Sequence, residues 1–126
     1  MDSGRRPALG APRRLGPAPT ALSVHFGGLA HPTRLTIIER LAAAAEVRVS
    51  ELAEFCKVSQ PRMSWHLRIL RRAQVIRTRR EGREVFCRLD RDAILEHMRT
   101  FLRLLGPKGA EGDAAELMRL TSELAK

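Results

Sequence analysis

Only three residues, "VSQ" at 58 to 60, separate two short runs that both read as helix, "SELAEFCK" and "PRMSWHLRILRR". So tight a connection fixes how the second helix crosses the first, and two short helices joined this way form a helix-turn-helix. Local chemistry agrees. Ser50 is the expected N-cap of the first helix, its hydroxyl able to accept from first-turn amides, and Ser59 is the expected N-cap of the second. Pro61 falls in the first turn of that second helix, where a missing N–H does no damage. Leu52, Ala53 and either Phe55 or Cys56 face inward from the first.

The flanks supply the remaining elements. "HPTRLTIIERLAAAA" opens with Pro32 at a tolerated first helical position, and Leu35, Ile38, Leu41, Ala42 and Ala45 form the expected apolar stripe. Before it, Leu22, Val24, Phe26 and Leu29 in "TALSVHFGGLA" predict a short helix weakened by Gly27 and Gly28. After Ala73 the period changes to two: "VIRTRR" and "REVFCRL" read as strands with Val75 or Ile76 and Val85, Cys87 and Leu89 inward, joined by "EGR" with glycine at the turn. Asp90 then caps "RDAILEHMRTFLRLLG", which Gly106 and Pro107 stop.

The expected fold is therefore mainly α with a small β-hairpin, in the order α-α-α-α-β-β-α, as one domain over residues 20–105. A basic arm, "MDSGRRPALGAPRRLGPAPT", precedes it over 1–19; broken by Pro and Gly, it reads as disordered, and it lacks the apolar segment of a secretory signal. That arm is equally suited to tracking phosphates and to being an inert extension. The tail over 106–126 has room for an amphipathic turn or two of helix. No apolar run approaches the roughly eighteen residues of a membrane span.

Charge narrows the partner. Of a formal +9, residues 57–91 hold eleven Lys/Arg against Glu81, Glu84 and Asp90, and residues 1–20 hold four Arg against Asp2. Positive charge concentrated beside near-neutral segments is the footprint of a polyanion binder, nucleic acid ahead of an anionic membrane surface or a merely solvated face. On a wheel of roughly 100° per residue, Met63, Leu67 and Leu70 centre the core arc of the second short helix, with His66 at its edge as a hydrogen-bonded residue. Gln60, Pro61, Arg62, Ser64, Trp65 and Arg68 face outward, and with Ser59 they offer the amide, hydroxyl, guanidinium and indole groups suited to base edges in a major groove. Arg77, Arg79, Arg80 and Arg83 surround Gly82 and would meet phosphates or the minor groove beside it. Such contacts carry affinity and salt sensitivity rather than sequence choice.

The run from "GLAHPTRLTIIERL" through "SELAEFCKVSQPRMSWHLRILRRAQVIRTRREGREVFCRL" resembles the ArsR/SmtB family of bacterial winged-helix repressors. The likeness covers about residues 20–105. It rests on "AHPTRL" opening a helix, on the S-Q-x-x-M-S-x-H-L-x-x-L pattern, on "VI" at the first strand and on R-x-G-R-x-x-F across the wing. The resemblance implies a winged helix, a homodimer and repression of transcription relieved by a signal. Pairing also has a physical warrant: Ile94, Leu95, Met98, Phe101, Leu102, Leu104 and Leu105 spread over about half the circumference of the helix after Asp90, more than one small core covers. A two-fold interface through this helix and the N-terminal one, with Leu22, Phe26, Ile94, Met98, Phe101, Leu102 and Leu105, is the expected arrangement.

The sequence departs from the family's metal sensors. Arg48 and Ser50 stand where those carry a C-V-C pair, and in "DRDAILEHMRT" His97 stands without the rest of the other common ligand set, so neither known site is expected and no cofactor is assigned. His25 and His31 read as structural or solvated. Cys56 and Cys87 lack a CxxC spacing, which points to a reducing interior and cytoplasmic location; they are candidate redox residues and, first, small buried hydrophobes. No triad order, phosphate-binding glycine loop or carboxylate pair suggests an enzyme. The rival reading is a winged-helix module for RNA or protein without promoter choice. The residues name no inducer.

Overall fold

The structure is a computed structural model that describes residues 18–106 and 111–124; most of the expected arm, at 1–17, and some of the tail lie outside the described residues. The chain runs α1 (Ala18–Leu29), α2 (Pro32–Ala42), β1 (Val47–Arg48), α3 (Val49–Cys56), α4 (Gln60–Arg72), β2 (Ile76–Glu81), β3 (Glu84–Leu89), α5 (Arg91–Leu105) and α6 (Glu111–Leu124). The expected order is present with two additions. The pair β1 and β3 is antiparallel, Val47 opposite Cys87, and it extends the hairpin to a three-stranded sheet in the order β1-β3-β2. The tail holds a 14-residue helix rather than a turn or two.

One core joins these elements: Ile37 and Leu41 from α2, Leu52 from α3, Met63, Leu67 and Leu70 from α4, and Val47, Val75, Ile76 and Cys87 from the sheet and its approach. Val75 and Ile76 are both buried, although they are neighbours in sequence. Gln74, at φ +62°, turns the chain between α4 and β2 through the left-handed region, so strand alternation starts only after Val75.

Two helices differ from expectation. On α2 the buried residues are Arg34, Ile37 and Leu41, while Leu35 is 53% exposed and Ala45 lies beyond the helix end. The helix is rotated because Arg34 turns inward, donating from Nε to the Gly28 carbonyl at 2.7 Å. On α3 the N-cap is Arg48, not Ser50. Pairing with Phe86 holds Arg48 extended, so the helix starts directly from the strand, and Arg48 bridges Glu51 at 2.9 Å and Glu84 at 3.0 Å. Phe55 is half exposed and Cys56 partly buried, which settles that inward position for the cysteine.

α1 docks across the C-terminal end of α4. A Cβ at Gly28 would stand 2.6 Å from the Ala73 Cβ, so the glycine that weakens the helix is what lets it approach. His25, fully buried, donates from Nδ1 to the Ala73 carbonyl at 2.8 Å and stacks on His97 of α5 at 4.0 Å between ring centroids. Its Nε2 is the one buried side-chain nitrogen or oxygen without a partner among the described residues. Burial pushes the His25 imidazole below its ordinary pKa.

Candidate nucleic-acid interface

The Ser59 hydroxyl accepts from the Arg62 amide at 3.2 Å and starts α4 where the sequence places it. Met63, His66, Leu67 and Leu70 are buried, whereas Gln60, Pro61, Arg62, Ser64, Trp65 and Arg68 are exposed. His66 goes further inward than its edge position on the wheel. Arg34 Nη1 donates to His66 Nδ1 at 3.2 Å, and because a guanidinium only donates, the imidazole accepts there and is neutral. Burial, helped by His31, Arg34 and Arg62, holds its pKa below the usual value.

The exposed side of α4 has two flanks. Gln60, Ser64, Arg68 and Arg71, spaced along one stripe, line one wall of a cleft of about 510 Å³, and Thr78 and Arg83 of the wing line the other. Arg71 reaches across it, from Nη1 to Thr78 Oγ1 at 3.4 Å. Trp65, 44% exposed, belongs to the opposite flank, with the Arg34 and Arg62 guanidiniums 5.7 and 6.0 Å from its ring centre. Arg71 lines the cleft, and the stripe Ser64, Arg68, Arg71 already marks it in sequence; Arg34 stands in the "AHPTRL" signature, where no periodicity shows that it turns inward.

Glu81 pairs with Glu84, leaving Gly82 and Arg83 as a two-residue turn with Gly82 at φ +64°. Glycine supplies the positive φ that such a hairpin needs first. The four wing arginines do not form one cluster. Strand alternation puts Arg80 on the face with Thr78 and Val85, toward α4, and Arg77 and Arg79 on the other face. There Arg77 bridges Asp90 at 2.9 Å, and Arg79 bridges Glu46 at 2.8 Å and Glu81 at 2.6 Å while lying 4.4 Å over the Phe86 ring centre. The hydrogen bond from Arg79 pulls the Glu46 carboxyl below its usual range. Neither Arg80 nor Arg83, nor Arg68 or Arg71 on α4, pairs with a carboxylate among the described residues.

Of the residues expected at a two-fold interface, Leu22 is spent inside the protomer and Ile94 packs on the core. Phe26 stacks edge-on against Phe101 at 5.4 Å and, like Met98 and Leu102, is half buried. Phe101, Leu104 and Leu105 of α5 are exposed, as are Val24 of α1 and, on α6, Leu117, Leu120 and Leu124; Leu35, Phe55 and Trp65 are exposed elsewhere. Burial raises both thiols, that of Cys87 to about 11, the opposite of the shift that makes a reactive thiolate. Among the described residues no three His, Cys, Asp or Glu side chains gather to hold a metal, and no helix is long and apolar enough to cross a membrane.

This frame has relatives. A helix-turn-helix domain family matches residues 29–79. The chain is 35% identical over 92 residues to a biofilm growth-associated repressor of Agrobacterium fabrum, covering 73% of this chain and 74% of that one. Of two further curated regulators that it matches, it spans 52% and 46%. Among solved structures, an ArsR family transcriptional regulator superposes with TM-score 0.62 at 29% identity over 69% of this chain and 88% of the other. A homodimeric winged helix-turn-helix domain from Mycobacterium bovis superposes with TM-score 0.58 over 79% and 92%, at 20% identity, a likeness of fold alone. With its helix-turn-helix, its wing and these relatives, the chain belongs to the ArsR/SmtB family of winged-helix transcriptional regulators, which are not enzymes.

Proposed function

We propose that the protein is a sequence-specific repressor that binds duplex DNA as a homodimer, with α4 of each protomer in the major groove and the wing tip on phosphates or in the minor groove. The observation that carries this reading is the cleft between α4 and the wing, where Arg68, Arg71 and Arg83 stand beside Gln60 and Ser64 without carboxylate partners among the described residues. Gln60, Ser64 and Arg68 present hydrogen-bonding groups to base edges, with Ser59, Arg62 and Trp65 around them, and Arg80 and Arg83 supply sequence-independent attraction. Arg77 and Arg79, already neutralised by Asp90 and Glu46, contribute little.

The second copy docks on the apolar surface of Phe101, Leu104 and Leu105, which Phe26, Met98 and Leu102 adjoin and α6 extends. Relatives described as repressors and as a homodimer support both halves of this proposal. The folded unit in this reading runs from α1, which begins at Ala18, two residues before the expected boundary, to Leu105, with α6 after it. Such a protein works where the chromosome is, in the cytoplasm. No inducer is proposed.

Gel shifts against the DNA upstream of its own coding sequence, a random duplex and RNA, at stated salt, test the reading. Preferential binding to one duplex, with log K falling against log salt by about 5 if six charges engage phosphates, is the expected result. Equal binding to all three would replace the repressor with a general nucleic-acid module.

A further inference from the structure

Arg34 is the single buried arginine among the described residues, 7% exposed, and no carboxylate among them pairs with it. A guanidinium taken out of water without an anion is costly, and the Gly28 carbonyl and the neutral His66 ring supply acceptors but no negative charge. Its Nε and Nη1 are the nitrogens held by these acceptors, and its Nη2 has no protein acceptor among the described residues.

The surroundings are positive without relief. Arg34 is the third residue of α2 and Arg62 the third residue of α4, so both cations sit at the positive ends of helices whose first turns contain no acidic residue. Ordinary helices place Asp or Glu there. Both guanidiniums also converge on one exposed indole, that of Trp65, from 5.7 and 6.0 Å. Two helix starts without acidic residues in their first turns, and two arginines beside one indole, make a surface suited to an anion.

We infer that Arg34 and Arg62 clasp a backbone phosphodiester of bound DNA on the flank of α4 away from the wing, as a phosphate anchor opposite the wing tip. The inference rests on the DNA-binding reading above and adds to it a residue outside the helix-turn-helix and wing. His66 acts as a positioning residue: its Nδ1 holds Nη1 of Arg34 so that Nη2 is left for the phosphate. Anchors on both flanks would fix the tilt of α4 in the groove, which a wing contact alone leaves free.

The test uses the full chain and a random 25-base-pair duplex in chloride buffers. Arg34→Met keeps an apolar stem of similar length without charge; for a dimer, Arg34→Met with Arg62→Met loses one neutralised phosphate per protomer, makes the slope of log K against log salt shallower by about 1.8 and weakens binding on the order of tenfold at low salt, and Arg34→Met alone takes part of that change. Arg34→Lys keeps the charge and keeps most of the slope. A folded Arg34→Met chain with the wild-type slope, whatever its thermal midpoint, makes Arg34 an internal strut and overturns the inference. Should that variant not fold, side-chain ¹⁵N spectra of the unaltered chain decide: the Arg34 and Arg62 guanidinium resonances shift on adding the duplex and not on adding inorganic phosphate at equal ionic strength. No shift with duplex, or an equal shift with phosphate alone, overturns it. Failure of the unaltered chain to bind any duplex is a different result and refutes the DNA-binding reading itself.

Discussion

On β2, Arg77 and Arg79 turn to the face that holds Asp90 and Glu46, whereas Arg80, one residue further on, turns to the face shared with α4 and has no acidic partner among the described residues. The two faces carry the same residue type with opposite electrostatic meaning. A guanidinium chelated by a carboxylate has its field cancelled at short range and would have to give up charge-assisted hydrogen bonds before it met a phosphate. Net charge along a sequence therefore overstates what a strand offers a polyanion. The available charge is that of the side chains left after internal pairing, and strand parity decides which those are.

The largest effect belongs to the face toward α4 and the helix beside it. Arg68→Ala weakens binding to an identified operator by about 1–3 kcal/mol and relaxes preference at the base pair it reads, measured by anisotropy with the operator and its single-base variants. Arg80→Ala and Arg83→Ala each make the salt slope shallower by about 0.9 for every phosphate no longer neutralised, and weaken operator and random duplex alike. Arg77→Ala and Arg79→Ala leave the slope at its wild-type value, and a slope that falls with them as it does with Arg80→Ala would erase the distinction between the faces.

Acid sharpens the comparison from the stability side. His25 and His66 have folded-state pKa values below the ordinary 6.5, so as pH falls through that value the unfolded chain takes up protons that the folded chain refuses, and stability declines. Above about pH 7 both states hold the rings neutral and this contribution is constant. Glu46, held below its ordinary 4.5 by Arg79, acts lower down with the same sign: its contribution is complete above 4.5 and is lost as pH falls through the depressed value. Urea midpoints against pH should thus fall in two stages, and Glu46→Gln should flatten only the lower one. The smallest effect expected is on DNA: Glu46→Gln releases Arg79 from that carboxylate yet leaves the salt slope unchanged, because Arg79 stays on the face away from α4.

Much of this was legible in the sequence where one periodicity governs. From Ser59 to Leu70, α4 reads correctly apart from His66, which lies deeper than the edge of the arc, because cap, proline and apolar arc all depend on residues in or next to the helix itself. What escaped depends on partners far along the chain. The pairing of Arg79 with Glu46 spans 33 residues, and α2 is rotated by Arg34, which a stripe chosen for hydrophobicity passes over in favour of Leu35. Ser50 lost its capping role to a strand of two residues, too short to show a period. Gly28 reads as a weakness until the Ala73 Cβ is seen 2.6 Å from where its own would stand.

The central claim is that the solvent side of α4 enters the duplex, and Trp65, the only tryptophan of the chain, sits on that side, 44% exposed. Its emission should be titrated with operator duplex while the anisotropy of a label on the DNA reports binding independently. Quenching or a spectral shift that saturates together with the anisotropy is the predicted result. Emission that stays unchanged while the anisotropy shows the DNA fully bound would contradict it.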